Sequence, residues 1–382
     1  MKKTKLVSTV CTVAAAAAIL ASSALTAGNP ARAADLFPDV TADWQKEPVA
    51  LAVQHGYVDG YEDGTFRPDN RVTRAEFAKM VTTALKLPTG QSASGDDWYV
   101  PYINAAVNAG IHQWSDFTTG DWNTPITRQE IARMAVRAVG IKAEESNVDS
   151  FMYEATKAGL IQGLEGGKLG KDEATTRAQS VTLIERILDK KAGKELPVDK
   201  DAQSYAEYEY KGHNIETVFE FVGMKARQMP ITFQLDEGVN VVIDKIIAID
   251  YDRKDGAFRD WFPRVENDVN MEVPPNHYVI AYHMIVSNEA REEGGVMYFY
   301  NTLIETGVER AAGIPQKYAD QTPFKKFEGR ISFKSAGTTE GWKMFSIPKY
   351  YFDEEKEWSA LVLKNQIDRS EVLFNELPKK KQ

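Results

Sequence analysis

Apolar residues follow two different rhythms along this 382-residue chain. Between about residues 44 and 188 they recur every three or four positions, the spacing of one helical face. From about 229 onward they fall in short β-branched or aromatic runs, several of them alternating, which is the strand period. The stretch between, "KKAGKELPVDKDAQSYAEYEYK" at 190–211, is charged, carries Pro and Gly and shows no period, so it reads as a linker. At the start, Lys2, Lys3 and Lys5 precede the run "LVSTVCTVAAAAAILASSALTA", and Ala31-Arg32-Ala33 offers small residues to a signal peptidase. Residues 1–33 therefore read as a cleaved secretory signal. The run is Ala-rich, ends in small residues and has no basic stop-transfer cluster behind it, which weighs against a membrane anchor.

The helical rhythm is written three times. Aligned on Arg74, Arg128 and Arg177, the copies are offset by 54 and 49 residues, and a glycine (Gly56, Gly110, Gly159) stands 18 residues before each arginine. Four residues before each glycine is an alanine (Ala52, Ala106, Ala155), and twelve before it stand Trp44, Trp98 and Asn147. Such agreement in register predicts three copies of one unit, at 35–90, 91–143 and 144–190. Each copy predicts two helices. The first stops at the glycine, and the second starts at Thr73, Thr127 or Thr176, each followed three residues later by Glu or Gln in a capping box. Phe77, Met80, Val81 and Ala84 form the apolar stripe of the second helix in copy one. Ile131, Met134, Ala135 and Ala138, then Ser180, Leu183, Ile184 and Ile187, form it in the others. A 50-residue helix pair cannot bury such a stripe alone, so an all-α pseudo-threefold bundle is expected.

Capping explains the threonines and acids but not an arginine at the first helical position three times over. A cation there opposes the helix dipole by roughly 0.3–1 kcal/mol. A bound carboxylate or phosphate, held by open first-turn N–H groups and a guanidinium, would offset that cost. Charge decides what kind of anion. Loss of Lys2, Lys3, Lys5 and Arg32 with the signal would leave 42 basic against 55 acidic residues, a net of −13. Nucleic acid is not an expected partner, and anion binding must come from local groups. Cys11, the one cysteine, lies within the signal, so no disulfide framework is expected.

The phrases "FPDV", "HGYVDGYEDGTFRPDN" and "RVTRAEFAKMV", with Trp44 between the first two, resemble the S-layer homology (SLH) domain. The resemblance extends over about 35–190. It implies three SLH repeats in a helical spindle, held non-covalently to a secondary cell-wall polysaccharide bearing pyruvate ketals, typically on N-acetylmannosamine. It implies that Arg74, Arg128 and Arg177 take the ketal carboxylate, that Asp39 and Asp97 bond sugar hydroxyls, and that Trp44 and Trp98 line grooves between copies. Both rings also suit a core position between copies. Copy three departs from the pattern: Asn147 replaces the tryptophan, Gln179 the glutamate, and the Gly-Tyr-x-Asp-Gly loop is missing. Copy two also replaces that loop, with "QWSDFTTGDW".

Residues 212–382 predict an all-β, immunoglobulin-like sandwich, from seven or eight strand-like runs between "MPITFQLD" and "SALVLKN". The placing of Asn288, Gly341 and Pro348 resembles telokin-like domains of Gram-positive surface proteins. No nucleophile or zinc motif occurs, and no catalytic residue, cofactor or metal is expected. His277 and His283 fall on one strand face and could share a metal, though ordinary strand residues account for them. "DYDRKDGAF" at 250–258 reads as a turn rather than a calcium loop, because Lys254 takes a ligand position. The expected protein is a secreted, non-enzymatic surface protein of a Gram-positive-type wall, with S-layer or other surface proteins as further partners and no membrane contact after signal cleavage. The rival is a wall-anchored hydrolase acting through the second half.

Overall fold

The computed structural model describes residues 37–90, 95–117, 121–219, 229–261, 275–298 and 330–352, with short pieces at 304–305, 362–364 and 370–372 and the single positions 273 and 327. The expected leader at 1–33, with Cys11, lies outside the described residues, as does most of 306–329. Among the described residues, eight α-helices precede the strands: α1 (Asp43–Gln54), α2 (Arg74–Ala84), α3 (Val100–Asn108), α4 (Arg128–Ala138), α5 (Val148–Lys157), α6 (Arg177–Lys191), α7 (Lys200–Lys211) and α8 (Ile215–Phe219).

The helix starts form as their residues dictate. At α2, α4 and α6 the threonine hydroxyl accepts from the third N–H while the Glu76, Glu130 or Gln179 side chain accepts from the threonine's own N–H. The glycines that stop α1, α3 and α5 sit at φ 73°, 71° and 73°, where a side chain is strained. Just past each, the N–H of Tyr57, Ile111 or Leu160 donates back to the carbonyl of Ala52, Ala106 or Ala155. Those alanines are fully buried, so the alanine-to-glycine spacing marks a close helix contact as well as a stop. All twelve stripe positions of α2, α4 and α6 are buried.

The residues just before the capping threonines meet at one point. Val72 N–H donates to the Thr175 carbonyl (3.1 Å), Thr175 N–H to Ile126 (2.8 Å) and Ile126 N–H to Val72 (2.9 Å), a closed triangle of backbone bonds. Thr175 Oγ1 is buried there with no hydrogen-bond partner among the described residues, where the other two members are Val and Ile. Thr175→Val should therefore raise stability by about 1 kcal/mol, because an unpaired buried hydroxyl is removed at constant volume. An unchanged or lower urea midpoint would contradict this.

The segment read as a linker is different in the structure. Asp199 caps α7 through the N–H groups of Asp201 and Ala202, and Gly212 ends it at φ 79°. Ala202 and Ala206 of α7 are buried in the same core as α1–α6. On another side of α7, the rings of Tyr205, tilted, and Tyr208, edge-on, meet Phe258 at 4.3 and 5.2 Å, against one face of the β-sheet. Small residues inward and aromatic residues outward give no conventional apolar stripe, which is why the helix does not show as a periodic pattern.

The strands form a four-stranded antiparallel sheet in the order β1 (Ile231–Asp236), β2 (Val239–Asp250), β3 (His277–Asn288), β7 (Gly337–Pro348). A two-stranded piece pairs β4 (Val296–Tyr298) with β6 (Arg330–Ser332), and β5 (Ile304–Glu305), β8 (Val362–Lys364) and β9 (Ser370–Val372) make a third. Both faces of the large sheet carry buried clusters. The Asn214 side chain bonds both backbone groups of Ala248 (2.7 and 2.8 Å), tying the chain after α7 to β2.

Candidate functional site

Each arginine at a helix start reaches out of its own copy. The backbone N–H groups of Arg74, Arg128 and Arg177 donate to the carbonyls of Thr124, Glu173 and Asn70 at 2.8–3.0 Å. The next N–H groups, of Ala75, Gln129 and Ala178, donate to Trp122, Lys171 and Pro68. First-turn N–H groups expected to be open for an anion are thus taken by the loop of the neighbouring copy, and only the guanidinium groups remain for that task.

Their settings differ. Arg128 is 6% exposed, and its Nε and Nη2 donate to the carbonyls of Leu169 (2.8 Å) and Gln162 (2.7 Å). Beside it Arg186, on α6, donates only weakly to the Leu160 carbonyl (3.3 Å). Neither is ion-paired to a carboxylate among the described residues. Burial pushes both pKa values down, as expected for cations short of counter-charge. They border a cavity of about 340 Å³ walled by Trp44, Gln179, Thr182 and the stretch Leu160 to Leu164. The Trp44 ring is 52% exposed at this wall. The cavity is assembled from all three copies, with Trp44 from the first, Arg128 from the second and α6 from the third.

Arg177 repeats the arrangement one copy on. Its Nη2 donates to the Asp59 carbonyl (2.5 Å), which stands three residues after Gly56 as Gln162 stands three after Gly159. Its guanidinium lies 4.5 Å from the Phe66 ring and 5.3 Å from that of Tyr61, and its Nε is buried without a partner among the described residues. Desolvation by burial lowers its pKa too. Lys79, in the register of Thr182, places Nζ 5.7 Å from the half-buried Trp98 ring. Trp98 holds the register of Trp44.

Arg74 is placed otherwise. Its guanidinium bonds Glu130 through Nε (3.1 Å) and Nη2, and lies 4.3 Å from the Phe117 ring. Arg74 is thus ion-paired within the bundle. The signal that could have separated Arg74 from Arg128 lay 56 residues away in Glu130, at a position held by a glutamine, Gln179, beside Arg128; beside Arg177 the same position is Glu76, which makes no ion pair with it among the described residues. Asp39 is likewise engaged, its two oxygens accepting from Phe66 N–H (2.9 Å) and Arg67 N–H (2.7 Å), which pins the loop before α2. Asp97 is exposed in the 3-10 turn Gly95–Asp97 before α3. Arg186, absent from the expected set, joins the cavity because it lies nine residues along α6 on the face that meets α1.

Elsewhere, Glu207, His213 and Glu216 bring possible ligand atoms within 4.8 Å of one another. Glu207 already accepts from the N–H groups of Glu216 and Thr217 and the Thr217 hydroxyl, and Glu216 holds Lys211 Nζ at 2.6 Å, which is the geometry of a buried helix cap. His277 and His283 cannot share a metal. Six residues of extended strand separate them by about 20 Å, and His283 instead lies 2.7 Å from Asp244.

Known proteins bear on the first half. The model of the S-layer homology domain matches residues 36–78. The S-layer protein sap of Bacillus anthracis is 32% identical over 145 residues, 36% of this chain and 17% of its own. An S-layer protein of Bacillus thuringiensis subsp. finitimus is 27% identical over 198 residues, 46% of this chain and 24% of its own. An amylopullulanase of Thermoanaerobacterium thermosulfurigenes is 27% identical over 178 residues, 40% and 10%. This chain thus spans under a quarter of the length of each of these three. With the α1 and α2 helices, the Thr73 cap and the family match in agreement over 36–78, the chain carries an S-layer homology domain in its first half.

Proposed function

We propose that residues 35–190 form three SLH repeats in a pseudo-threefold bundle that holds the protein, without a covalent bond, to an acidic secondary cell-wall polysaccharide. A cell-wall or S-layer surface location accompanies the domain. The observation that carries the reading is the pairing of Arg128 and Arg186, two cations without a carboxylate partner among the described residues, at one cavity walled by an exposed tryptophan. A carboxylate on a sugar, as in a pyruvate ketal, would supply the missing charge while Trp44 covers the apolar sugar face. Arg177, Lys79 and Trp98 form the second seat. Arg74 and Asp39 hold the frame, and Asp97 faces solvent beside the second seat.

Residues 212–382 are, in this proposal, an immunoglobulin-type sandwich displayed for contact with S-layer or other surface proteins, not a catalyst. The enzymes among the relatives share only the SLH region with this chain, so their names carry no activity over to its second half. Because α7 packs into both the helical core and the sheet, the displayed half is held in a set orientation on the anchor.

The test is co-sedimentation of the chain with wall sacculi before and after the polysaccharide is stripped. Retention should be lost on stripped sacculi and competed by free pyruvylated glycan. Equal retention on both would sink the reading.

A further inference from the structure

The crevice that follows from Arg74 by the same register should be the third seat, yet it is lined differently. Its tryptophan position is Asn147, whose side chain caps α5 through Asp149 N–H (3.1 Å). The residue nine along from the helix-start arginine is Arg137, matching Arg186 in the open cavity. Arg137 does not wait for a counter-ion. Its Nη1 and Nη2 bind Asp116 at 2.6 and 3.2 Å, and Arg133 binds the same carboxylate at 3.0 Å. Gln113 N–H donates to it at 2.8 Å, and His112 Nδ1 lies 3.2 Å away. The Asp116 side chain is 5% exposed. Burial alone would raise its pKa, but His112 and Arg137 hold it well below the usual carboxylate range. Glu145 neutralises the far side of Arg137, as Glu130 neutralises Arg74.

Among the described residues, Arg128, Arg186 and Arg177 thus make no direct ion pair with a carboxylate, and the third crevice brings its own. We infer that Asp116 is a resident carboxylate occupying the anion seat of the third crevice, so that the bundle takes two acidic sugars and not three. The inference rests on the reading of the Arg128 and Arg177 crevices as glycan seats, and adds what sets their number. Asp116 lies in the loop "QWSDFTTGDW" that replaces the Gly-Tyr-x-Asp-Gly loop of copy one, so the altered loop supplies the plug. A sugar-stacking surface is present at this loop as well: Trp114 is 60% exposed, edge-on to Trp122 at 6.3 Å.

Calorimetric titration of the full chain with a pyruvylated N-acetylmannosamine monosaccharide tests this. The original protein should bind two equivalents, and Asp116→Asn or Asp116→Ala three. In a chain with Arg128→Ala and Arg177→Ala and Asp116 intact, binding should be lost, and adding Asp116→Asn should restore one equivalent. If the arginine changes leave binding intact, the glycan seats themselves are misplaced. If they abolish it and neither Asp116 change in a folded chain adds a site, the resident carboxylate is refuted while the seats stand. A structure of the unaltered protein soaked with the same sugar decides the matter independently of variant folding. Sugar in the third crevice overturns the inference, and sugar in the first two alone supports it.

Discussion

Arg128→Ala together with Arg177→Ala is expected to release the protein from wall sacculi, lowering retention by about 10²- to 10⁴-fold. Each charge-assisted contact to a carboxylate is worth about 1.5–3 kcal/mol, so neither crevice alone holds a polymer firmly. Two crevices on one rigid bundle turn the second capture into an intramolecular step, and losing both removes that gain. Arg74→Ala is the contrasting change. It strips Glu130 of its partner and loosens the contact between copies one and two, yet touches neither open crevice. Sedimentation with sacculi, alongside far-ultraviolet circular dichroism, separates the two. The site assignment fails if Arg74→Ala releases a folded chain as fully as the double change, or if the double change releases nothing.

Glu207→Ala is expected to be the most damaging single substitution for stability, costing about 3–5 kcal/mol. Glu207 and His213 side chains are both 0% exposed, with Oε1 and Nδ1 2.9 Å apart. The same carboxylate caps α8 through two N–H groups and a hydroxyl, and α8 lies against the sheet. Alanine would leave an imidazole, two N–H groups and a hydroxyl buried without an acceptor, at the junction where Ile246 N–H meets the Gly212 carbonyl. Urea unfolding should show the drop. Glu207→Gln, which keeps one acceptor, should fall between. A loss under about 1 kcal/mol for alanine would mean that the junction carries little of the stability.

What the sequence reveals here divides by distance along the chain. Capping boxes, glycine stops and apolar stripes are written within a dozen residues, and Thr73, Gly110 or Ile184 can be placed without a structure. Most strands are equally local, since β2 and β3 are long alternating or apolar runs. The crevices are not, because each is assembled from three copies. Arg74 belongs to the copy most like the family yet meets the acid of copy two, whereas copy three, the least similar, lends Arg186 and residues Leu160 to Leu164 to the cavity beside Trp44. Asp39 has the right chemistry for a hydroxyl partner, and only the fold shows that two backbone N–H groups already claim it. The helix α7 is hidden because Ala202, Ala206, Tyr205 and Tyr208 serve two cores at once and so carry no single stripe.

The triangle formed by Val72, Ile126 and Thr175 has an architectural corollary. Every member gives one backbone bond and takes one, so the ring closes at three with no backbone N–H left for a fourth module. Tandem arrays with free ends can lengthen or shorten, but this hub fixes the copy number. The periphery is released from that constraint: one spoke can trade a tryptophan for Asn147, or an open mouth for Asp116, while the hub stays as it is.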